Sequence, residues 1–549
     1  MISFSANARS RNLARLPRTP FDLIVIGGGI TGAGILRDAV LRGMRTLLLE
    51  KGDFASGTSS KSSKLVHGGL RYLKEYDFGL TRESCLERNL LIRQNPHLVK
   101  PIPFVYPIYR TDKEGPAMVK AGMWLYEALG GFRNYQRHRM LSVEETLEEI
   151  PDLNPEGLRG AAYYYDAAVD DARLTLENIK AGVRQGGVAL NYAAAIGFLR
   201  EKGRICGVVV RDMRTWETFE ARASCVVNAT GVWVNDVRSL EAPAEKTLSP
   251  TKGVHIVVPS SRIRQHATLA FRNPVDERQL FSIPWGDVTL IGTTDTFFQG
   301  DPEGVHTDWD DVDYLLEAAN QAFPASKLSR SDVISVFAGL RPLIAPREEA
   351  DAGAISREHE IFEDPSGLIS IAGGKLTTYR LMARELVDQV LAHLPPARRH
   401  RIGPCLTERS LARSVLDVET EVERLVDAGQ SETVARHLVS TYGSDATRVL
   451  DLCRTVPGGL DPLDEGAPFL QGEVVHAVRH ECALTIADVL TRRLRLAIWR
   501  PGQGLPAAET VSRLMGSELG WSEEERAAEV ERYQETVDKF YRPVGAAGA

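Results

Sequence analysis

The segment from Phe21 to Glu50 constrains the fold more than any other part of this 549-residue chain. FDLIVIG (21–27) is a short run of branched apolar residues, the pattern of a strand buried in a parallel sheet. ITGAGILRDAVLR (30–42) has helical periodicity, and MRTLLLE (44–50) is a second strand that ends in an acid. Strand, glycine turn, helix and strand in about 30 residues make one βαβ unit. The turn carries G-x-G-x-x-G at Gly27, Gly29 and Gly32, with Gly28 between. Gly27 makes the tight turn, Gly29 lets a pyrophosphate approach the backbone, and Gly32 lets the helix pack on the sheet. The helix N-terminus then offers unpaired N–H groups to an anion. Glu50 stands where a carboxylate accepts the hydroxyls of an adenosine ribose. An acid there disfavours a 2′-phosphate, and so NADP; NAD and FAD both remain.

Beyond this unit the chain alternates. Helical periodicity recurs over 81–95 and 117–129, and 157–170 reads as a strand pair or a strand plus loop. A helix follows over 171–185, then strands near 188–198, 205–212, 217–221 and 225–231. Residues 252–300 look like a β-meander, 308–323 a helix, and 335–343 a strand. LISIAGGKLTTYRLMARELVDQVL (368–391) is a strand, a glycine turn and a long helix. Near 396 the texture changes: Pro395-Pro396 and ARRHR interrupt the pattern, and the remainder is helical and charged. A separate helical domain is expected over 400–549. Residues 1–20 carry Arg9, Arg11, Arg15 and Arg18 with no acid and no apolar core segment. They read as a frayed basic tail rather than a secretory signal, although a transit peptide would share the Arg bias.

Composition removes several classes. Lys+Arg number 66 against 73 Asp+Glu, a net charge of −7, so no basic excess exists to neutralise nucleic-acid phosphates. The 6 cysteines form no C-x-x-C pair, which argues against a zinc knuckle or disulfide framework and for a reducing compartment. No apolar run reaches the roughly 18 residues of a membrane-spanning helix.

The next motif narrows the choice of dinucleotide. TSSKSSKLVHGGLRYL (58–73) is dense in hydroxyls, glycines and bases. It suits a loop wrapped around a second phosphate and a polar ring edge better than a Ser-rich linker. With GGGITGAGI (27–35), VDDARL (169–174), NATGVWV (228–234), KGVHIVVP (252–259), IPW (283–285), IGTTD (291–295), GLRPL (339–343), GGKLTTYR (373–380) and HECALTIADVLTRRLRLAIW (480–499), the chain resembles the FAD-dependent, quinone-linked glycerol-3-phosphate dehydrogenases. These belong to the D-amino-acid-oxidase-like flavoproteins. The resemblance covers residues 20–500. Val232 stands where such proteins usually carry proline, which changes turn rigidity but no chemical group.

The resemblance implies an α/β protein: a Rossmann-like FAD-binding domain, an inserted mixed β-sheet substrate domain, and the C-terminal helical domain. FAD-binding segments would be about 21–80, 165–240 and 345–395; substrate-domain segments would be about 81–164 and 241–344. FAD would be held by Gly27, Gly28, Gly29, Gly32, Glu50, Thr58, Ser59, Ser63, His67, Ala229, Gly231, Gly373, Gly374, Leu376 and Thr377. The implied reaction oxidises sn-glycerol 3-phosphate to dihydroxyacetone phosphate. Hydride leaves C2 for the flavin while the hydroxyl proton departs. Such a site needs a phosphate clamp, a polar partner for the hydroxyl, and a flavin face about 3–3.5 Å from C2–H.

Cations suit the clamp, and the resemblance points to Arg71 and Lys375, with Tyr72 and Thr378 as hydroxyl donors. Lys375 at a helix start would oppose the helix dipole, which a bound anion would offset. His255 can accept the hydroxyl proton, or be a satisfied core histidine; Arg341 can polarise the C2 oxygen. The electrons would pass to a membrane quinone from a cytoplasmic protein docked peripherally on the inner membrane face, with a homo-oligomer allowed. Arg492, Arg493, Arg495, Trp499 and Arg500 are a weak pointer to that contact, and a solvated helix face is their plainer reading. Rival readings are an oxidase giving hydrogen peroxide, an amine oxidase for glycine- or sarcosine-like substrates, and a non-catalytic dinucleotide-binding scaffold.

Overall fold

The computed structural model describes residues 4–74, 76–241, 247–273, 275–345, 358–411 and 417–545, the side chains of Arg71 and Lys74 excepted. Two sheets organise it. The first contains eight strands among the described residues. Its parallel centre runs Leu368–Gly373, Thr218–Asn228, Phe21–Ile26, Thr46–Leu49, Val188–Leu190, with Ile24 opposite Val226 and Leu47. All six residues of Phe21–Ile26 are buried, as a strand covered on both faces requires. The helices Ile30–Leu41, Asp171–Arg184 and Tyr379–His393 cover one face, packing on Leu23, Val25 and Leu48. The hairpin Ala193–Glu201 and Arg204–Asp212 covers the other, over Ile24, Ile26 and Leu47.

The second sheet contains ten strands among the described residues and is mostly antiparallel. Thr251–Pro259 pairs with both Val288–Gly292 and Ser335–Arg341. Residues 157–170 form one long strand, Leu158–Val169, paired along its length with Val99–Tyr109. Its far end receives Leu65–Val66, which draws the Ser-rich loop between the two sheets. Helix Trp309–Ala322 covers one face through Val312, Leu315 and Leu316.

The C-terminal region behaves in two ways. Helices Val418–Asp427, Glu432–Tyr442 and Ala446–Thr455 share a small core around Val422, Leu438 and Val449. The later helices, from Gln471–Glu481 to Glu523–Phe540, bury Val474, Val489, Met515 and Tyr533 in one core with Phe104, Val257 and Phe337 of the second sheet. That half packs directly on the second sheet.

Two readings of basic residues are corrected. The expected frayed tail is a helix, Ala6–Arg15, capped by Ser5. Arg9 is buried there, 2.7 Å from Asp212 and 2.8 Å from the Asn191 carbonyl. Its partner lies 203 residues away, which local sequence cannot reveal. The run at 492–500 is tied into ion pairs instead of forming a solvated face, with Arg493 and Arg495 buried. Arg492 pairs with Asp53 at 2.5 Å and Asp488 at 2.8 Å, Arg493 pairs with Asp53, and Arg495 with Asp170 and Asp171. Trp499 stacks on Trp285 with centroids 5.2 Å apart, and Arg500 pairs with Asp464. Burial alone would raise the Asp53 carboxyl, but Arg493 and Arg492 outweigh it and hold it at about 2.

Candidate active site

A cavity of about 880 Å³ lies between the sheets, walled by the βα turn at 26–31 on one side and by His255 and Arg341 of the second sheet on the other. The turn is forced by packing. A Cβ on Gly27, whose φ is +110°, would stand 2.5 Å from the Ala229 carbonyl oxygen, and one on Gly32 would stand 1.9 Å from the Gly27 oxygen. Gly29 differs: a Cβ there would meet only Ser59, at 3.1 Å. Its openness toward the cavity is what a ligand phosphate at the helix N-terminus would use. Ser59 also accepts a hydrogen bond from the Ile30 N–H at 2.9 Å, tying the Ser-rich loop to that helix.

Glu50 accepts from the backbone N–H groups of Gly28 (2.7 Å) and Gly52 (2.8 Å), one on each carboxylate oxygen. Each oxygen has a second lone-pair site, so a ribose diol can still be bound. Burial pushes its carboxyl upward, against those two N–H bonds.

At the other end, Lys375 lies 3.6 Å from the centroid of the Tyr72 ring, and its ammonium donates to Ser84 Oγ at 3.2 Å. A cation over an aromatic face is stabilised there by the ring quadrupole. His67 lines the same end, its carbonyl accepting from Thr377 Oγ1 at 3.4 Å. Gly373 and Gly374 both have positive φ and lead through Lys375–Thr378 into helix Tyr379–His393.

His255 and Arg341 come from adjacent strands, Thr251–Pro259 and Ser335–Arg341. His255 is buried and stacked on Phe337 with centroids 4.8 Å apart. Its Nε2 is 2.9 Å from Ser63 Oγ, and its Nδ1 has no hydrogen-bond partner among the described residues. Burial, then the Arg341 and Lys64 cations, push its pKa well below the usual histidine value. The imidazole is therefore neutral near pH 7, able to accept a proton. Arg341 donates to Asp295 (2.9 Å), Thr293 Oγ1 (3.0 Å) and the Thr294 carbonyl (3.0 Å), which fixes its fork at the cavity edge.

Of the residues singled out in the sequence, Gly27, Gly29, Glu50, Thr58, Ser59, Ser63, His67, Tyr72, Ala229, Gly231, His255, Arg341, Gly373, Gly374, Lys375, Leu376 and Thr377 all line the cavity. Gly28 and Gly32 serve packing behind it, Gly28 against Glu50 and Phe54. Thr378 is buried at the start of helix Tyr379–His393 and is not among the lining residues. Arg71 sits in the short helix Leu70–Lys74, but its side chain lies outside the described residues.

Sequence reasoning missed the bracket behind the Ser-rich loop. Asp171 accepts from the Ser62 N–H (3.0 Å), the Ser62 hydroxyl (2.7 Å), the Lys64 ammonium (2.8 Å) and Arg495 (3.2 Å). The VDDARL motif was its signal, without a visible partner. Lys61 was also missed: it lines the cavity beside Phe540, and burial, then Arg492 and Lys539, lower its pKa to about 8.

Comparison with known proteins agrees with this architecture. The family described as FAD dependent oxidoreductase matches residues 22–389, and the C-terminal domain of alpha-glycerophosphate oxidase matches residues 371–526. The chain is 38% identical over 530 residues to glycerol-3-phosphate dehydrogenase 2 of Mycobacterium tuberculosis, covering 95% of this chain and 89% of that one. It is 37% identical over 551 residues to aerobic glycerol-3-phosphate dehydrogenase of Staphylococcus aureus, covering 98% and 97%. The structure of the glycerol-3-phosphate dehydrogenase from Bacillus halodurans complexed with FAD superposes with a TM-score of 0.82 at 34% identity, covering 99% and 100% of the two chains.

Proposed function

The chain belongs to the FAD-dependent oxidoreductase family, and from that premise we propose that it oxidises sn-glycerol 3-phosphate to dihydroxyacetone phosphate and delivers the electrons to a membrane quinone. The observation that carries the substrate assignment is the Lys375 ammonium held on the Tyr72 ring at one end of the cavity. His255, Ser63 and Arg341 line the same cavity, as does the dinucleotide turn.

FAD fits the residues present: an open Gly29 at a helix N-terminus, a ribose-ready Glu50, and walls from both sheets. When bound, it supplies a two-electron acceptor for hydride at ring nitrogen N5. Gly29, Ser59 and Glu50 would hold its phosphate and ribose, and Gly373–Thr377 and His67 its ring end.

The protein's own groups do the rest. Arg71 and Lys375 clamp the substrate phosphate as charge-assisted donors. Arg341, held in place by Asp295, donates to the C2 oxygen and stabilises the charge that develops as its proton leaves. His255, neutral because it is buried beside two cations, takes that proton. Ser63 fixes the imidazole through Nε2. Asp171, acting through Ser62 and Lys64, is a positioning residue for the Ser-rich loop. The balance is one hydride and one proton lost by the secondary alcohol, giving the ketone.

Transfer to O2 with release of hydrogen peroxide is the second reading, favoured by the match of residues 371–526 to the C-terminal domain of alpha-glycerophosphate oxidase. Anaerobic addition of glycerol 3-phosphate should bleach the bound flavin. Reoxidation by a soluble quinone much faster than by O2 supports the dehydrogenase; the opposite order supports the oxidase. Failure of glycerol 3-phosphate to bleach the flavin overturns both.

A further inference from the structure

Three cations from distant parts of the chain meet at the cavity. Lys61 comes from the Ser-rich loop, Arg492 from the helix Asp488–Arg493, and Lys539 from the last turn of helix Glu523–Phe540. All three line the cavity, together with Phe540 and Tyr541. The Lys61 ammonium lies 4.8 Å from the centre of the Phe540 ring, and the Lys539 ammonium lies 4.9 Å from it. Arg492 has its counter-charges: it pairs with Asp53 and Asp488 and donates to Thr491 Oγ1 at 2.8 Å. The two lysines do not. Neither has a hydrogen bond or an ion pair among the described residues. Lys61 is half-buried and Lys539 is exposed at the cavity rim.

Both lysines stand on backbone that the fold fixes in place. Lys61 N–H donates to the Thr58 carbonyl at 3.1 Å. A Cβ on Gly339 would stand 2.7 Å from the Lys61 carbonyl oxygen, so only glycine lets strand Ser335–Arg341 approach the loop this closely. Past Phe540, the Tyr541 carbonyl accepts from Val336 N–H of the same strand at 3.1 Å, and Val544 N–H donates to the Thr307 carbonyl at 2.9 Å. Further up the helix the buried Tyr533 hydroxyl donates to the Gln503 carbonyl at 2.5 Å. One strand thus braces the Ser-rich loop and the end of the C-terminal helix against the cavity. Unpaired ammonium groups held near one ring repel each other. Burial, then Arg492 and Lys539, lower the Lys61 pKa with no acid opposing them. A multiply charged anion beside the two lysines would offset that cost.

The cofactor carries such an anion. Each phosphate group of the FAD diphosphate is negative, and Gly29 and Ser59 at the helix N-terminus bring no cation to it, while Glu50 adds a carboxyl group. Lys61 follows Ser59 by two residues, and Ser59 accepts from the Ile30 N–H at that helix N-terminus. We propose that Lys61 and Lys539, backed by Arg492, form a latch on the FAD diphosphate, so that the end of the C-terminal helix holds the cofactor in the cavity. Charge-assisted contacts of this kind are stronger than neutral ones. The substrate phosphate has its own cation in Lys375, on the Tyr72 ring. Lys539, Phe540 and Tyr541 lie beyond residue 526, where the matched C-terminal family region ends. They add to the contacts that the dinucleotide turn provides. The latch rests on FAD as the cofactor and not on the identity of the substrate or the electron acceptor.

The test follows flavin release from the FAD-loaded full chain after dilution, read as the rise in flavin fluorescence. Wild type is compared with Lys61→Met, Lys539→Met, Lys61→Arg and Lys539→Arg. Lys539 is exposed, so its variants keep the test alive even if Lys61→Met fails to fold. Each Met variant should release FAD at least about tenfold faster, and each Arg variant should hold it like wild type. Rising salt should speed release from wild type more than from the Met variants, which have lost the screened contact. Phosphorus NMR of the bound diphosphate should show shifted resonances in both Met variants. Release from Lys539→Met at the wild-type rate overturns the latch. So does fast release that the Arg variants share, which places the effect in packing on Phe540. Inorganic phosphate is the second arm: a bound-phosphate signal that needs Lys61, with FAD held equally by every variant, gives these cations to a free phosphate group and overturns the assignment to the cofactor. If glycerol 3-phosphate fails to bleach the wild-type flavin, the proposed reaction fails while the release rates still decide the latch.

Discussion

Ser63 Oγ lies 2.9 Å from His255 Nε2 across 192 residues of sequence. This bond orients a buried ring that also stacks on Phe337 and packs against Gly292. Replacing His255 with Ala should lower flavin reduction at saturating glycerol 3-phosphate by about 10²–10⁴-fold, the usual worth of a positioned base. A rate within threefold of wild type, about 0.65 kcal/mol, would remove His255 from the chemistry. Ser63→Ala should cost less, because it loosens the base without deleting it.

The pH dependence follows from the same environment. His255 is pushed below its ordinary value by burial, then by Arg341 and Lys64. Only the neutral ring accepts a proton, so the acid limb from His255 should fall below about 6.5. Removing one repelling cation raises the pKa, so Arg341→Met should move that limb upward, as well as lowering the plateau. The substrate phosphate itself titrates near 6, so the informative quantity is the displacement between variants in stopped-flow flavin reduction. A limb that stays in place, or moves down, contradicts the assignment.

Glu50 offers a check on the cofactor end that is independent of turnover. Losing a charged hydrogen-bond acceptor from a ribose diol costs about 1.5–3 kcal/mol, or ten- to a hundredfold in affinity. Glu50→Ala should therefore shed FAD during gel filtration, read as the ratio of flavin to protein absorbance. Its carboxylate also holds the Gly28 and Gly52 amides, so the variant's far-ultraviolet circular dichroism must match wild type for the result to count. Full FAD occupancy in a folded Glu50→Ala protein removes Glu50 from the ribose site.

How much of this was legible in the sequence depends on how far apart the cooperating residues lie. Gly27, Gly29, Gly32 and Glu50 occupy one βαβ unit, so steric demands within a few residues expose them. The pairing of His255 with Ser63 was not visible locally; only resemblance in KGVHIVVP and TSSKSSK placed both near one site. Arg9, Arg493 and Arg495 were misread for the same reason. Each looked like solvated or membrane-facing charge because Asp212, Asp53 and Asp171 are more than 200 residues away in the chain. The apolar outer face of helix Pro116–Leu129 was hidden differently. Its periodicity announced a helix, but apolar residues on both of its sides read as buried until the fold shows that Met118, Trp124 and Leu125 are exposed.

Asp53 tests the seam between the first sheet and the C-terminal helices. Its carboxylate carries Arg492 and Arg493, and Asn191 besides. Breaking a buried pair by removing one partner typically costs about 3–5 kcal/mol, so Asp53→Asn should unfold at clearly lower temperature at pH 7. The folded-state pKa is depressed to about 2 from 3.8. The stabilisation is therefore complete above about pH 5 and is lost as pH falls through 3.8 toward 2. Wild type should lose its advantage over Asp53→Asn across that window in thermal scans. An advantage that persists undiminished at pH 2 would place the effect in packing rather than charge.

The last prediction separates clamp from chemistry. If Lys375, on the Tyr72 ring, and Arg71 hold the substrate phosphate, deleting either charge should raise KM about ten- to a hundredfold. Glycerol, which lacks the phosphate, should be a poor substrate for wild type and should lose little further in Lys375→Ala or Arg71→Ala. Some loss of kcat is expected, because binding energy at the phosphate also positions C2–H for transfer. The informative measurement is thus the ratio of kcat/KM for glycerol 3-phosphate to that for glycerol. A role for Lys375 in holding the cofactor instead would depress both substrates equally and leave the ratio fixed. Deleting His255 should do the same, since it acts on the C2 hydroxyl that both substrates share. A ratio that collapses in Lys375→Ala and Arg71→Ala but holds in His255→Ala places the clamp and the base at opposite ends of the substrate; a ratio unchanged in all three puts the phosphate elsewhere in the cavity.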